Sequence, residues 1–334
     1  MTAMQELLSD VVTQSPAHAW KKIQEYLWDV FAAPLPVKAE KEIVRRDRAL
    51  TDLDNLLAGA AWNLWNDLPA VIKQGSDGVA EFWSGGSHAI GPHGKAVLIL
   101  DSLSLRELPF LLQEAERRNY RIHQAGLWIA EFPGETTAYA RALGFAQRSS
   151  VEEGKPDSNR LPSAWKANND LPFRDAANCV PAERSVFFWH HWPDFQAHQL
   201  SQPGLGLENL AKDVEEKLTS DDFWLFVERL TTGRRLLITS DHGYAATGHF
   251  PDLHDKAQIE KMQAIFKGQR HSKQTSSELL PWIPPLEMSI ASQHGTCRYV
   301  LGRRKWKLQG GYPILQHGGL SLLEMFVPFI EIQR

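Results

Sequence analysis

Three short stretches of the chain, AVLIL (96–100), SVFFW (185–189) and RLLITS (235–240), are apolar almost without a break. A strand with one wet face alternates polar and apolar residues, so a continuous apolar run belongs to a strand buried on both faces. LWIAEF (127–132) is a fourth run of this kind. Between the runs the period changes to that of a helix: Leu105, Leu108, Leu111, Leu112 and Ala115 share a face. ENLAKDVEEKLTSDDFWLFVERLTTG (208–233) reads as one amphipathic helix closed by Gly233. Strands alternating with helices predict an α/β fold, with a mainly parallel central sheet flanked by helices. The C-terminal stretch, CRYVL, KWKLQGGYPILQHGG and EMFVPFIEI, is richer in β-formers and predicts added edge or antiparallel strands. Residues 152–181, rich in Pro, Asn and Asp, read as a long excursion over the surface.

Residues 1–94 differ in kind. Trp20, Ile23, Leu27, Val30 and Phe31 share one helical face between Pro16 and Pro34, and Ile43, Val44, Leu50, Leu53, Leu56 and Leu57 continue at helical spacing. The glycine-rich GSDG and SGGSHAIGPHG then mark a boundary, giving a helical N-terminal region (1–94) and an α/β domain (95–334). With 43% hydrophobic and 23% charged residues the chain supports a large core, and a net charge of −4 gives no global attraction to nucleic acid or anionic membranes. No apolar run approaches the roughly 20 residues that span a bilayer. MTAMQELLSDVVTQ has no basic segment of a secretory signal, and Cys179 and Cys297 match no zinc-ribbon or disulfide pattern, so the expectation is a cytoplasmic protein. Twelve tryptophans suit a large core or a partner surface.

The apolar runs end on side chains that bind metals. AVLIL leads to Asp101, SVFFW to His190, His191 and Asp194, and RLLITS to Asp241-His242, while LWIAEF feeds a loop with adjacent hydroxyls, Thr136 and Thr137. Parallel strands open their carboxyl ends on one crevice, where ligands bind. Singly, each residue has an ordinary explanation. An Asp after a strand commonly caps a helix, and either threonine could cap ETTAYARAL. His190 and His191 could be core or surface histidines, Asp194 and His198 fall four apart as on any helical turn, and His317 in LQHGGLS could serve only a turn. Together, Asp101, Asp194 and Asp241 with His198, His242, His317 and a hydroxyl form a mixed donor set that suits zinc, manganese or iron better than magnesium or calcium. Two ions about 4 Å apart clamp both oxygens of an in-line displacement, and an ion lowers the pKa of an alcohol enough to make threonine a nucleophile. Such a set performs phosphoryl or sulfuryl transfer.

AVLILDSLS, FPGETTAYARALGF, ITSDHGY and QHGGLSLLEMFVPFIEI occur here in the order and spacing of the PglZ domain, which the chain resembles over roughly residues 95–334. That family belongs to the alkaline phosphatase superfamily and takes its name from bacterial phage-growth-limitation and phage-exclusion systems. HGGLSLLEMFVP is the most specific part of the resemblance, whereas SDHG is shared across the superfamily. The resemblance implies Asp101, Asp241 and His242 as ligands of one metal, with Thr136 bridging metal and phosphorus. It implies Asp194, His198 and His317 as ligands of a second. Where many relatives carry Asp, a small residue, then Leu-Arg, this chain reads Asp101-Ser102-Leu103-Ser104, with Arg106 nearby. Thr136 and Thr137 are adjacent, which leaves two registers for the nucleophile.

The expectation is a two-metal phosphoesterase, zinc or manganese dependent. It would be a phosphodiesterase acting on nucleotides or nucleic acid in anti-phage defence, alongside other defence proteins and away from membranes. The alternative is a non-catalytic assembly component of a defence complex. A phosphomutase or sulfatase is a third reading, and the nucleophile loop lacks the sulfatase maturation motif. GRRKWK (302–307) could hold phosphates with Trp306 stacking on a base, or form a solvated turn. KGQRHSKQ (267–274) reads as a mobile loop, or a lid.

Overall fold

The computed structural model describes residues 3–85, 94–151, 158–200, 206–247, 252–273, 282–308, 312 and 314–334. Its centre is a six-stranded sheet of β1 (Gly94–Leu100), β2 (Arg121–Ile129), β3 (Trp165–Asn169), β4 (Ser185–His190), β5 (Arg234–Thr239) and β11 (Phe326–Gln333). The spatial order is β2-β11-β5-β1-β4-β3. β1 pairs in parallel with β4 and β5, and β3 in parallel with β4, while β11 runs antiparallel between β5 and β2. The protein is thus a mixed α/β fold with a mainly parallel sheet. Between β5 and β11 lie β6 (Ala245–Ala246), paired with β10 (Leu315–Gln316), and a small antiparallel sheet of β7 (His271–Ser272), β8 (Glu287–Ser292) and β9 (Gly295–Val300).

The apolar runs are central because both of their faces find cover. Ala96, Leu98 and Leu100 of β1 pack with Val186, Phe188, Leu236 and Ile238 under the helices Leu108–Arg117, Gly206–Leu218 and Asp221–Thr231. Val97 and Ile99, with Phe187, Trp189 and Leu237, face Val79 and Trp83 of the helix Gly75–Ser84 and Tyr139 of the helix Thr136–Ala142. Each such aliphatic or aromatic side chain contributes about 1.5–3 kcal/mol by leaving water. Register then sets the strand ends level: Leu100 lies opposite His190 and Ile99 opposite Thr239, so Asp101, His191 and Ser240-Asp241 emerge at one edge.

The N-terminal helices share their core with the α/β domain. Trp20, Ile23, Leu53 and Leu57 belong to the cluster that holds Ile129, Tyr299, Met325 and Phe326. Two buried carboxylates fasten the regions further. Asp47 takes the Arg106 Nε donor at 2.8 Å, and Asp54 takes Arg303 Nε at 2.9 Å and the Leu322 backbone N–H at 2.9 Å. Most of SGGSHAIGPHG lies outside the described residues.

Four local expectations are corrected. The segment 208–233 is two helices, Gly206–Leu218 and Asp221–Thr231, because the Ser220 hydroxyl caps the second by accepting from Phe223 N–H at 3.2 Å. Residues 152–181 are not simply a surface excursion: β3 and the helix Phe173–Asn178 lie within them, β3 as an edge strand beside β4. In GRRKWK, Trp306 is fully buried and Arg303 is sequestered by Asp47 and Asp54, so neither is presented to a nucleic acid. In KGQRHSKQ, Arg270 is buried in a two-pronged pair with Glu324, which anchors the stretch rather than freeing it.

Candidate metal centre

Asp101 leaves β1 fully buried, and its backbone N–H donates to His190 O at 3.0 Å, fixing it to the end of β4. The next residue, Ser102, takes the left-handed conformation at φ 66°, a strained state for a residue with a side chain. That turn aims the Ser102 N–H at Asp241 Oδ1, 3.0 Å away. The His242 N–H donates to the same oxygen at 3.0 Å. One oxygen of Asp241 is therefore held by the backbone. The other, Oδ2, is buried with no hydrogen-bond partner among the described residues.

His242 is oriented in the complementary way. Its Nδ1 lies 3.0 Å from Gly243 O; a proton donated there turns a bare Nε2 lone pair inward. Gly243 is required by a close approach: a Cβ on it would stand 2.2 Å from Leu323 O, and its N–H donates to Glu324 O at 3.0 Å. The glycine after the Asp-His pair thus lets the segment before β11 close over the site.

Four donor atoms converge. Thr136 Oγ1 lies 3.4 Å from Asp101 Oδ1 and 3.3 Å from His242 Nε2. His242 Nε2 lies 3.5 Å from Asp241 Oδ2 and 3.7 Å from Asp101 Oδ1. Ligand atoms at the corners of a tetrahedron with bonds of about 2.0–2.1 Å stand about 3.3–3.4 Å apart. Two carboxylate oxygens and an imidazole lone pair, buried together and facing one hydroxyl proton, repel one another unless a cation lies among them. The chemistry of the set suits a divalent ion, and Thr136 Oγ1 and Asp241 Oδ2 stand at about that separation from His242 Nε2. Of the two adjacent threonines, it is Thr136 whose hydroxyl reaches Asp101 and His242.

A second cluster lies alongside. Asp194, His198 and His317 offer ligand atoms within 4.8 Å of one another, and so do Asp194, Asp101 and His242. Asp194 Oδ2 is 3.3 Å from His198 Nε2, and Asp194 Oδ1 is 3.9 Å from His317 Nε2. Asp194 and His198 sit one turn apart on the helix Asp194–Gln199, whose position is fixed by the Asp194 N–H donating to Asp101 O at 2.9 Å. His317 Nδ1 lies 3.3 Å from Gly134 O in the loop that carries Thr136, and its ring stacks on that of His242 at 4.0 Å. Gly318 makes the sharp turn after it, with φ 95°. Glu324 accepts from the Gly319 N–H and the Ser321 hydroxyl as well as from Arg270, so HGGLSLLE is a frame built around one buried carboxylate.

The charges keep Asp194 and His317 unprotonated and favour the proton on His198. Burial opposes ionisation of Asp194, yet the hydrogen bond from His198 and the neighbouring histidines hold its carboxyl below the usual range. The same hydrogen bond raises His198. Burial, helped by the charge of His242, pushes His317 down to about 4, leaving it a neutral imidazole near pH 7.

Of the residues singled out at the strand ends, Asp101, Thr136, Asp194, Asp241 and His242 lie in or beside these clusters, whereas Thr137, His190 and His191 do not. His190 is a satisfied core histidine between Leu171 O, 2.8 Å from Nε2, and the Trp192 N–H, 3.1 Å from Nδ1. His191 contacts Asn168 Oδ1 at 2.8 Å. Sequence reasoning missed Arg148, whose Nη1 donates to Asp101 Oδ2. Its surroundings, FAQRSS, carry no signal of that role.

No protein-family model matches the chain, and no curated sequence is similar to it. Among solved structures it is similar to murine ectonucleotide pyrophosphatase / phosphodiesterase 5, in an inactive form in complex with AMP. That likeness has a TM-score of 0.42 and 12% identity, over 72% of this chain and 87% of that one. The same murine protein in another structure gives 0.40 and 12%, over 71% and 87%. The human protein gives 0.40 and 11%, again over 71% and 87%. At these scores the likeness is too distant to assign a role.

Proposed function

We propose that the protein is a metal-dependent phosphoesterase of the alkaline phosphatase superfamily, with Thr136 as its nucleophile. The observation that supports this reading most directly is that Thr136 Oγ1, Asp241 Oδ2 and Asp101 Oδ1 lie 3.3, 3.5 and 3.7 Å from His242 Nε2, with Asp241 Oδ2 left without a partner among the described residues. Asp101, Asp241, His242 and Thr136 would hold one ion, and Asp194, His198 and His317 a second, zinc or manganese in each case. Such ions, when bound, supply Lewis-acid stabilisation of charge on the phosphoryl oxygens.

The chain's own groups do the rest. Asp101 Oδ1 accepts the Thr136 hydroxyl hydrogen bond and so points the oxygen lone pairs away from itself toward the mouth of the site. Attack by Thr136 Oγ1 on phosphorus, its proton passing to Asp101 Oδ1 along that hydrogen bond, forms the Thr–O–P bond and breaks the bond to the leaving alcohol. Water then cleaves the phosphothreonine.

The finer reading rests on the ordered motifs from AVLILDSLS to HGGLSLLEMFVP: a PglZ-type phosphodiesterase acting on nucleotide or nucleic-acid esters in anti-phage defence, with companion defence proteins. Thr136→Ala is its test. The variant should lose at least about a thousandfold in turnover of a chromogenic phosphodiester, as expected when a nucleophile is removed, with an unchanged melting curve. Unchanged turnover would reject the nucleophile. A wild-type chain that keeps no zinc or manganese by elemental analysis would favour a non-catalytic assembly role.

A further inference from the structure

Asp101 presents its two oxygens to different surroundings. Oδ1 faces Thr136 and His242 inside the donor cluster, and Oδ2 receives the Arg148 guanidinium. The carboxylate is fully buried, whereas the Arg148 side chain is 27% exposed, so the arginine reaches in from the open side of the site. It comes from the short turn Arg148–Ser150, twelve residues after Thr136. A guanidinium carries five N–H donors in a fixed fork. Only the one on Asp101 has a partner among the described residues, and the side chain is partly exposed. Its charge reaches His191, which precedes Trp192-Pro193-Asp194 on the same rim and is made less basic by burial and then by Arg148.

Resting on the proposed metal centre, we infer that Arg148 is an internal cation that competes with the metal for Asp101 and, once displaced by it, receives a phosphate oxygen of the substrate. Without an ion, Arg148 is the positive charge nearest to Asp101 and neutralises it. An ion at Oδ1 drains the charge of the same carboxylate, weakening the pair and setting two cations against each other across one ligand. A phosphate between them removes that repulsion, and the planar fork suits two of its oxygens. Metal occupancy and readiness for an anionic substrate are thus coupled through one side chain. A residue that merely oriented Asp101 for the metal would behave oppositely, since its loss would weaken metal binding.

The test is calorimetric titration of wild type, Arg148→Ala and Arg148→Lys with Zn²⁺ or Mn²⁺ after chelator treatment, followed by titration of the loaded proteins with inorganic phosphate. Arg148→Ala should bind the ion about tenfold more tightly, by loss of a competing charge. It should bind phosphate at least about tenfold more weakly, by loss of charge-assisted hydrogen bonds. Arg148→Lys, which keeps the charge without the fork, should leave metal affinity near wild type and still lose phosphate affinity. Unchanged or weaker metal binding by Arg148→Ala, or undiminished phosphate binding by both variants, would overturn the coupling while leaving the metal centre standing. A wild-type protein that takes up neither ion would reject the metal centre and this inference with it.

Discussion

Asp241→Asn should stabilise the metal-free protein and destabilise the loaded one. The side chain is fully buried; Oδ1 takes two backbone N–H groups at 3.0 Å each, and Oδ2 takes none. Asparagine keeps the accepting oxygen for those two amides. Its NH₂ replaces the orphaned oxygen 3.5 Å from His242 Nε2, where a donor meets a lone pair. Removing an unsatisfied buried group is worth about 1–3 kcal/mol, so the chelated variant should be more stable than wild type by about that amount. An ion bound at a hundredfold excess over its Kd adds about 2.7 kcal/mol to the wild type, and the variant, lacking a ligand, forgoes most of it. The order of stabilities therefore inverts when zinc is added. Urea midpoints of both proteins, in chelator and in buffered zinc, read this directly. Equal stabilisation of the two by zinc would show that Asp241 is not a ligand. Destabilisation of the chelated variant would show that Oδ2 is satisfied and that the electrostatic argument for a cation is wrong.

Gly243→Ala tests the closure over the site: its Cβ would meet Leu323 O at 2.2 Å, so the backbone must part. Overpacking of this kind costs about 1–3 kcal/mol, seen as a lower urea midpoint together with weaker zinc uptake. His190 tests a pH dependence. Burial holds it at about 4 against an ordinary 6.5, so the unfolded chain binds a proton that the native one refuses. Stability is then complete above pH 6.5 and falls as pH drops toward 4, by at most about 3 kcal/mol. His190→Gln, which can still accept from Trp192 and donate to Leu171 O, should lose less stability between pH 7 and 4.5 than wild type. Equal loss in both would remove His190 from the acid response.

The centre of the sheet is legible in the sequence because its strands advertise themselves twice, by continuous apolar character and by the metal-capable residue at each end. AVLILD, SVFFWH and RLLITSD need no tertiary information to be placed at one edge. β3 is hidden for the opposite reason. WKANN is an edge strand with one neighbour and no apolar run, so local pattern says nothing of it. Ser220 is readable as a cap but sits inside a helix-length pattern that masks it. The basic stretch at 302–307 misleads because its charges count for little without their partners. Arg303 answers to Asp47 and Asp54, about 250 positions earlier, and no local rule reports a pairing at that separation. Arg148 is invisible for the same reason.

Those distant pairs also change what the N-terminal helices are for. As a separate helical region they would suit a partner surface. Yet Asp47, on the helix Glu40–Ala49, holds Arg106, which donates to Tyr244 O at 2.9 Å, two residues beyond His242. Asp54, on the helix Thr51–Gly59, accepts from Leu322 N–H between His317 and Glu324. Two carboxylates from the first part of the chain therefore secure the two loops that deliver the stacked imidazoles. Breaking a buried pair of this kind costs about 3–5 kcal/mol, because the partner is left charged and dry. The helices and the loops that carry His242 and His317 thus stand or fall together, and the geometry at Asp241 depends on residues nearly two hundred positions away.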